Sequence, residues 1–140
     1  MPEAMSDSPA RLSLTSKVVW FVRVWVDVVR VQVGLRRWSL PDLIDRLGRR
    51  STPRRRRLPR SKLSRVVERA LHVGPYRPRC LVGSLVLYQV LSEQGDSPEL
   101  VIGLPTDPQD PLAHAWIEIE GVDLGPAPGR DGHEELARYR

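Results

Sequence analysis

A chain of 140 residues with 41% hydrophobic content is large enough for one folded domain and too short for two full ones, and its 13 prolines and 10 glycines call for many loops. Its single cysteine, Cys80, excludes an internal disulfide and a multi-cysteine zinc site and fits a reducing cytoplasm. The net charge of +5 comes largely from arginines between Arg36 and Arg79; it admits nucleic acid, a membrane surface or an acidic peptide as partner, and speaks to association rather than to site chemistry.

Met1 to Ala10 is polar and proline-bearing and reads as a disordered lead-in, lacking the basic n-region, apolar core and cleavage site of a secretory signal. Leu12 to Val33 is the most apolar stretch. Lys17, Arg23, Asp27 and Arg30 interrupt it well short of the ~20 apolar residues a membrane span needs, so a transmembrane segment is rejected. Its pattern alone fits two elements. Val22, Val24, Val26 and Val28 alternate with charged and aromatic residues as in a strand, whereas Arg23, Asp27 and Arg30 fall on one helical stripe, with Leu14, Val18, Phe21, Trp25 and Val29 available as the opposing face. Such a helix, with Trp20 and Trp25 among basic residues, can lie on a membrane, but packing on its own domain or on a partner is the preferred reading.

Ser39 to Leu47 reads as a short helix capped by Ser39 and ended by Gly48, with Leu43, Ile44 and Leu47 on its buried edge. Arg49 to Arg60 is a proline-broken basic linker whose run Arg54 to Arg57 has no interleaved aromatic to stack on bases, so a solvated linker is preferred over a nucleic-acid contact. Ser61 then caps a third helix carrying Leu63, Val66, Val67, Ala70 and Leu71, with Gly74 as its stop.

Pro78 to Gly95 places Cys80 in the first turn of a buried helix. Leu81, Leu85, Tyr88 and Leu91 recur at steps of four and three, flanked by Val82, Val86 and Val90. Unpaired backbone N–H groups and the positive end of the helix dipole stabilise negative charge on a sulfur placed there, and Arg77 and Arg79 push the same way. The plainer role for such a cysteine is that of a small buried hydrophobe.

Leu100 to Leu104 follows as an apolar strand, and Pro105 to Pro111 as a loop suited to the wall of a substrate groove. In Ala113 to Leu124, His114, Trp116 and Glu118 alternate with Ala115, Ile117 and Ile119 as in a half-buried strand, and Glu120-Gly121 reads as a hairpin turn. His133 to Tyr139 reads as a final helical turn. A cysteine at a helix start and a histidine on a following strand are the two parts of thiolate–imidazolium catalysis. His72 and His133 show no ligand spacing, and no metal or cofactor is expected.

Cys80-Leu81 at the head of an apolar helix, the short strand ELVIGL and His-Ala-Trp-Ile-Glu before an acid-glycine turn resemble the transglutaminase-like cysteine peptidases of lasso-peptide biosynthesis, which are similar to the C-terminal domain of the microcin-processing maturation protease. The motifs cover roughly Pro78 to Arg130. The resemblance favours helix for Leu12 to Val33. It implies an α+β, papain/transglutaminase-like fold with an N-terminal helical region (11–74) and a Cys-His core (75–140) in one compact domain. It also implies a Cys-His-Asp site that removes the leader from a ribosomally made precursor peptide. A separate small leader-recognition protein is the expected partner, and a lasso cyclase can act alongside. Catalysis then falls to Cys80 and His114, with Trp116 and Leu81 as candidates for the substrate groove. The third member is less well matched. The family's acid falls about a dozen residues after the histidine, where this chain has Pro126, and the nearest acid on the next strand is Asp123. If Glu120-Gly121 is a two-residue turn, Asp123 pairs with Glu118, at ~3.3 Å per residue more than 10 Å from the level of His114. Asp131 or a backbone carbonyl can replace it, or the acid is missing. The rival readings are a non-catalytic scaffold or peptide-binding module with the same fold, and a basic nucleic-acid-binding protein.

Overall fold

Four helices precede four strands: α1 (Leu14–Arg37), α2 (Leu40–Arg49), α3 (Arg60–Leu71), α4 (Cys80–Glu93), β1 (Glu99–Pro105), β2 (His114–Ile119), β3 (Val122–Gly125) and β4 (His133–Tyr139). The computed structural model describes residues 14–49, 59–72, 80–107, 109, 112–126 and 129–140. The expected lead-in, the run Arg54 to Arg57, the stop at Gly74 and the flanking Arg77 and Arg79 lie outside the described residues. The strands form one antiparallel sheet in the order β3-β2-β1-β4, giving the expected α+β arrangement.

The core is organised on α4. Every residue from Val82 to Ser92 is buried, because α1, α2, α3, β1 and β2 all pack against this one helix. Its continuous apolar run, not a single stripe, is what such a central position demands. One apolar cluster runs from Val24 and Val28 in α1 through Leu85 and Leu91 in α4 to Leu100 and Ile117 in the sheet.

α1 is a helix, but it presents the opposite face from the one its charge pattern suggests. Asp27 is buried and lies 3.9 Å from both Arg23 and Arg30, while Arg23 also pairs with Glu93 at the end of α4. Arg23 and Asp27 therefore face inward, Arg23 held by a partner some seventy residues away in sequence, while Arg30 stays exposed. Leu14, Val18, Phe21 and Val29, expected to bury, are exposed. At Gly34 a Cβ would stand 2.6 Å from Leu43, so the glycine lets α2 pack closely against α1.

Two helix ends differ from expectation. α2 continues through Gly48 to Arg49, where Gly48 faces the Tyr88 hydroxyl, and α3 begins at Arg60 behind Pro59 with no side-chain cap, so Ser61 is inside the helix. The C-terminal segment differs more. His133–Tyr139 is strand β4, paired along β1 from Leu100 opposite Tyr139 to Pro105 opposite His133. Glu, Leu, Ala and Arg favour helix locally, but β1 offers an unpaired edge, and satisfying its backbone groups outweighs that preference.

The hairpin between β2 and β3 follows its sequence. Glu120 and Gly121 both have positive φ (51° and 78°), as a two-residue turn of the twist-matching kind requires, and Ile119 pairs with Val122. β2 is more buried than its alternation suggests: Ala115 to Ile119 are all inaccessible. Ala115, Ile117 and Ile119 join the core under the helices, while on the other face the side chains of His133, Arg130 and Arg138 reach over Trp116 and Glu118.

Candidate active site

Cys80 is the first residue of α4, half-buried and free. One turn further on, Ser84 donates a hydrogen bond to the Ala115 carbonyl (3.0 Å), which fixes the first turns of α4 against the residue next to His114. An α-helix rises ~6 Å over those four residues, so the thiol and the start of β2 occupy the same end of the helix–sheet layer. Leu81, beside the cysteine, is half-buried against the core.

The two side chains diverge from that shared end. Strand alternation sends Ala115 to the helix side and His114, Trp116 and Glu118 to the outer face. Among the described residues no hydrogen bond joins Cys80 to His114, and the His114 ring instead meets His133 of β4 edge to face, with centroids 4.6 Å apart. The Nδ1 of His114 and the Nε2 of His133 are both buried without a hydrogen-bond partner. His133 Nδ1 lies 2.8 Å from the Asp131 carbonyl, an acceptor only, so Nδ1 carries a proton and donates it there. In the neutral ring this leaves Nε2 as a bare acceptor beside His114. His133 was set aside in the sequence for want of ligand spacing. Its partner lies on a strand that is next but one in the sheet and nineteen residues away in sequence, a relation no local spacing displays.

Trp116 is 1% exposed and forms no open wall. Its indole lies across Gly103 of β1: a Cβ there would stand 2.7 Å from Cη2 and 2.9 Å from Cζ3. The indole N–H donates to Glu118 (2.7 Å), and the rings of Trp116 and His133 lie 6.0 Å apart. Glu118, also 1% exposed, is further met by Arg130 and by Arg138 at 3.6 Å, which matches a buried carboxylate with donors on both oxygens. Arg138 bonds Glu99 and Glu135 as well, and the hydrogen bond to Glu99 raises its pKa above the ordinary arginine value.

Asp123 pairs with Glu118 next to a bulge, beyond which Ile117 faces Gly125, and it stays four residues short of the level of His114. Both of its carboxylate oxygens accept backbone N–H groups: Gly125 at 2.8 Å and Arg130 at 2.9 Å. A Cβ on Gly129 would stand 2.0 Å from the same carboxylate. The side chain thus folds the loop between β3 and β4 and points at no imidazole. Pro126, in the family's usual acid position, follows this strand, and Asp131 acts through its main-chain oxygen on His133.

The loop after β1 closes on the same corner. Thr106 donates its N–H (2.9 Å) and its hydroxyl (3.2 Å) to the Gly132 carbonyl, directly before His133. No group of three metal-ligating side chains occurs among the described residues. A cavity of about 580 Å³ lined by Tyr88, Ser92, Glu99 and Arg140 lies at the other end of α4, remote from Cys80.

Comparison with known proteins gives one match: the family model described as transglutaminase-like superfamily aligns with residues 18–139. No curated protein and no solved structure matches the chain.

Proposed function

The chain belongs to the transglutaminase-like superfamily, a group that includes cysteine proteases, and on that premise we propose that it is a cysteine peptidase that removes the leader from a ribosomally synthesised lasso-peptide precursor, together with a separate leader-recognition protein. The observation that carries this reading is the pairing of a half-buried cysteine at the head of the central helix with the Ser84–Ala115 hydrogen bond that brings this helix end to His114.

In the proposed reaction the Cys80 sulfur attacks the scissile carbonyl carbon, the S–C bond forms and the oxyanion is held by backbone N–H groups at the start of α4. His114, as imidazolium, gives its proton to the departing amine as the C–N bond breaks. Water, deprotonated by the same ring, then hydrolyses the thioester and returns the free thiol. This sequence requires His114 to leave His133 and turn toward the sulfur. His114 is the first residue of β2, at the strand end that the Ser84–Ala115 hydrogen bond ties to the head of α4. Catalytic contacts of this kind commonly tighten only when substrate is bound.

A second reading, a non-catalytic peptide-binding module, is favoured by the divergence of Cys80 from His114 and by the occupied carboxylate of Asp123. One experiment separates the two. The protein is combined with a lasso-peptide precursor and a separate leader-recognition protein, and the products are read by intact mass. Cleavage at one bond that disappears in Cys80→Ala supports the peptidase. Precursor binding without cleavage, unchanged in Cys80→Ala, supports the module.

A further inference from the structure

The outward face of α1 carries an apolar row of its own. Val19, Val22, Val26, Val29 and Val33 recur at alternating steps of three and four, the spacing of a helix-packing seam, and are 61%, 54%, 44%, 58% and 48% exposed. No charged residue interrupts the seam. The positions that border it on one side are Arg23, Arg30 and Arg37, with Arg23 turned inward to Glu93, and Arg30 and Arg37 exposed. The only acid of the helix, Asp27, is buried. At its C-terminal half the seam opens into a groove of about 820 Å³ between α1 and α2, lined by Val29, Val33, Trp38, Leu43 and Leu47 and bordered by Arg30 on the α1 side and by the exposed Asp42 on the α2 side. Arg46 lies over the Trp38 ring there, and Asp45 is engaged by Arg49.

We infer that this seam and groove dock an amphipathic helix of a partner protein, with an apolar stripe at matching spacing and acidic residues along its flank. Charge complementarity selects this occupant. A second copy packed antiparallel along α1 sets the Arg30 and Arg37 row against itself, and packed parallel sets it against Trp25 and Gln32, with no exposed acid of α1 in either case. Segments of this chain outside the described residues fit no better: 50–58 would place arginine on arginine, and 1–13 carries only Met1, Met5 and Leu12 as large apolar residues. A lipid surface suits the charge but not the shape, because the two tryptophans that would anchor it are held by the protein and only Phe21 is exposed. The Trp25 indole donates to the Ala70 carbonyl (3.0 Å), and Arg23 covers Trp20. The surface is independent of the Cys80 chemistry.

The test uses the full chain and a synthetic three-heptad helix with valine and leucine in the seam and glutamate on both flanks, whose mutual repulsion keeps it monomeric, beside its lysine-flanked counterpart. The glutamate peptide binds at least about tenfold tighter than the lysine peptide, and Val22→Ser with Val29→Ser weakens it by a similar factor while the thermal midpoint is unchanged. Arg30→Glu with Arg37→Glu reverses the preference toward the lysine peptide. The inference is overturned by equal binding of both peptides, or by binding of neither. It is also overturned if the chain alone dimerises in sedimentation through this seam, or if vesicles of phosphatidylcholine and phosphatidylglycerol bind it and the valine substitutions abolish that binding.

Discussion

His114 and His133 meet edge to face across the outer corner of the sheet, each with one ring nitrogen buried and unpartnered, and the Asp131 carbonyl fixes the proton on the far nitrogen of His133. His133 thus packs on His114 from β4, on the side of β2 away from β3, with its bare nitrogen unpaired beside the His114 ring. Replacing His133 by Phe keeps a ring in the contact and removes both nitrogens. Turnover of the precursor should fall while the fold, read by circular dichroism, is retained. His114→Ala should cost more, roughly 10² to 10⁴ in turnover, the range for loss of a positioned acid–base group. Full activity in His133→Phe would show that the ring packs on His114 without orienting it.

Asp123 bonds the N–H groups of Gly125 and Arg130, so its expected effect is on the loop and not on the chemistry. An amide offers one acceptor where the carboxylate offers two, and it turns an NH₂ group toward a backbone N–H. Asp123→Asn should destabilise by ~1 kcal/mol, at the low end for a lost acceptor because the site is exposed, with turnover per folded molecule unchanged. Chemical denaturation and single-turnover cleavage on this variant check both halves. A large fall in turnover at unchanged stability would return Asp123 to the active site.

The parts of the fold set by local pattern were legible. α4 declared itself by an apolar run bounded by Pro78 and Gly95, β1 by its continuous hydrophobes, and the β2–β3 turn by Glu120-Gly121, whose positive φ values a glycine favours. The parts set by distant partners were not. The inward face of α1 depends on Glu93 accepting Arg23, and the strand state of His133 to Tyr139 on the open edge of β1. At the site, Cys80 and His114 were readable from residue type and position. The outward turn of His114 follows from strand parity together with a β4 that the local pattern reads as helix, and His133 was missed for the same reason.

Trp116 depends on the absence of a side chain at Gly103. A methyl group there would meet the indole at 2.7 Å and the Glu134 carbonyl oxygen at 2.8 Å, and the second contact is backbone that side-chain rotation cannot relieve. Gly103→Ala should therefore destabilise by ~1–3 kcal/mol, the range for overpacking. It should also disturb His114, the cross-strand neighbour of Gly103, so turnover should fall with stability. Stability equal to wild type by thermal melting would mean that the indole does not cover β1 in solution.

Tyr88 gives the fold a defined alkaline limit. Its ring is buried against α2, and burial first, then the negative charge of Asp45, raises its pKa above the ordinary value near 10. Both causes disfavour the phenolate in the folded state. An unfolded chain loses this proton near pH 10, and the folded one only at higher pH. The contribution of Tyr88 is then complete below pH ~10 and is lost as pH rises toward the folded value, at no more than ~1.4 kcal/mol per pH unit. Arginine, lysine and the other tyrosines also respond to alkali, so the informative quantity is a difference. Tyr88→Phe removes the proton and keeps the ring, and its stability relative to wild type should rise between pH 9 and pH 11. Urea denaturation of the two proteins across that interval measures it. Parallel stability curves would place the Tyr88 hydroxyl in water, and not in the packed contact between α2 and α4.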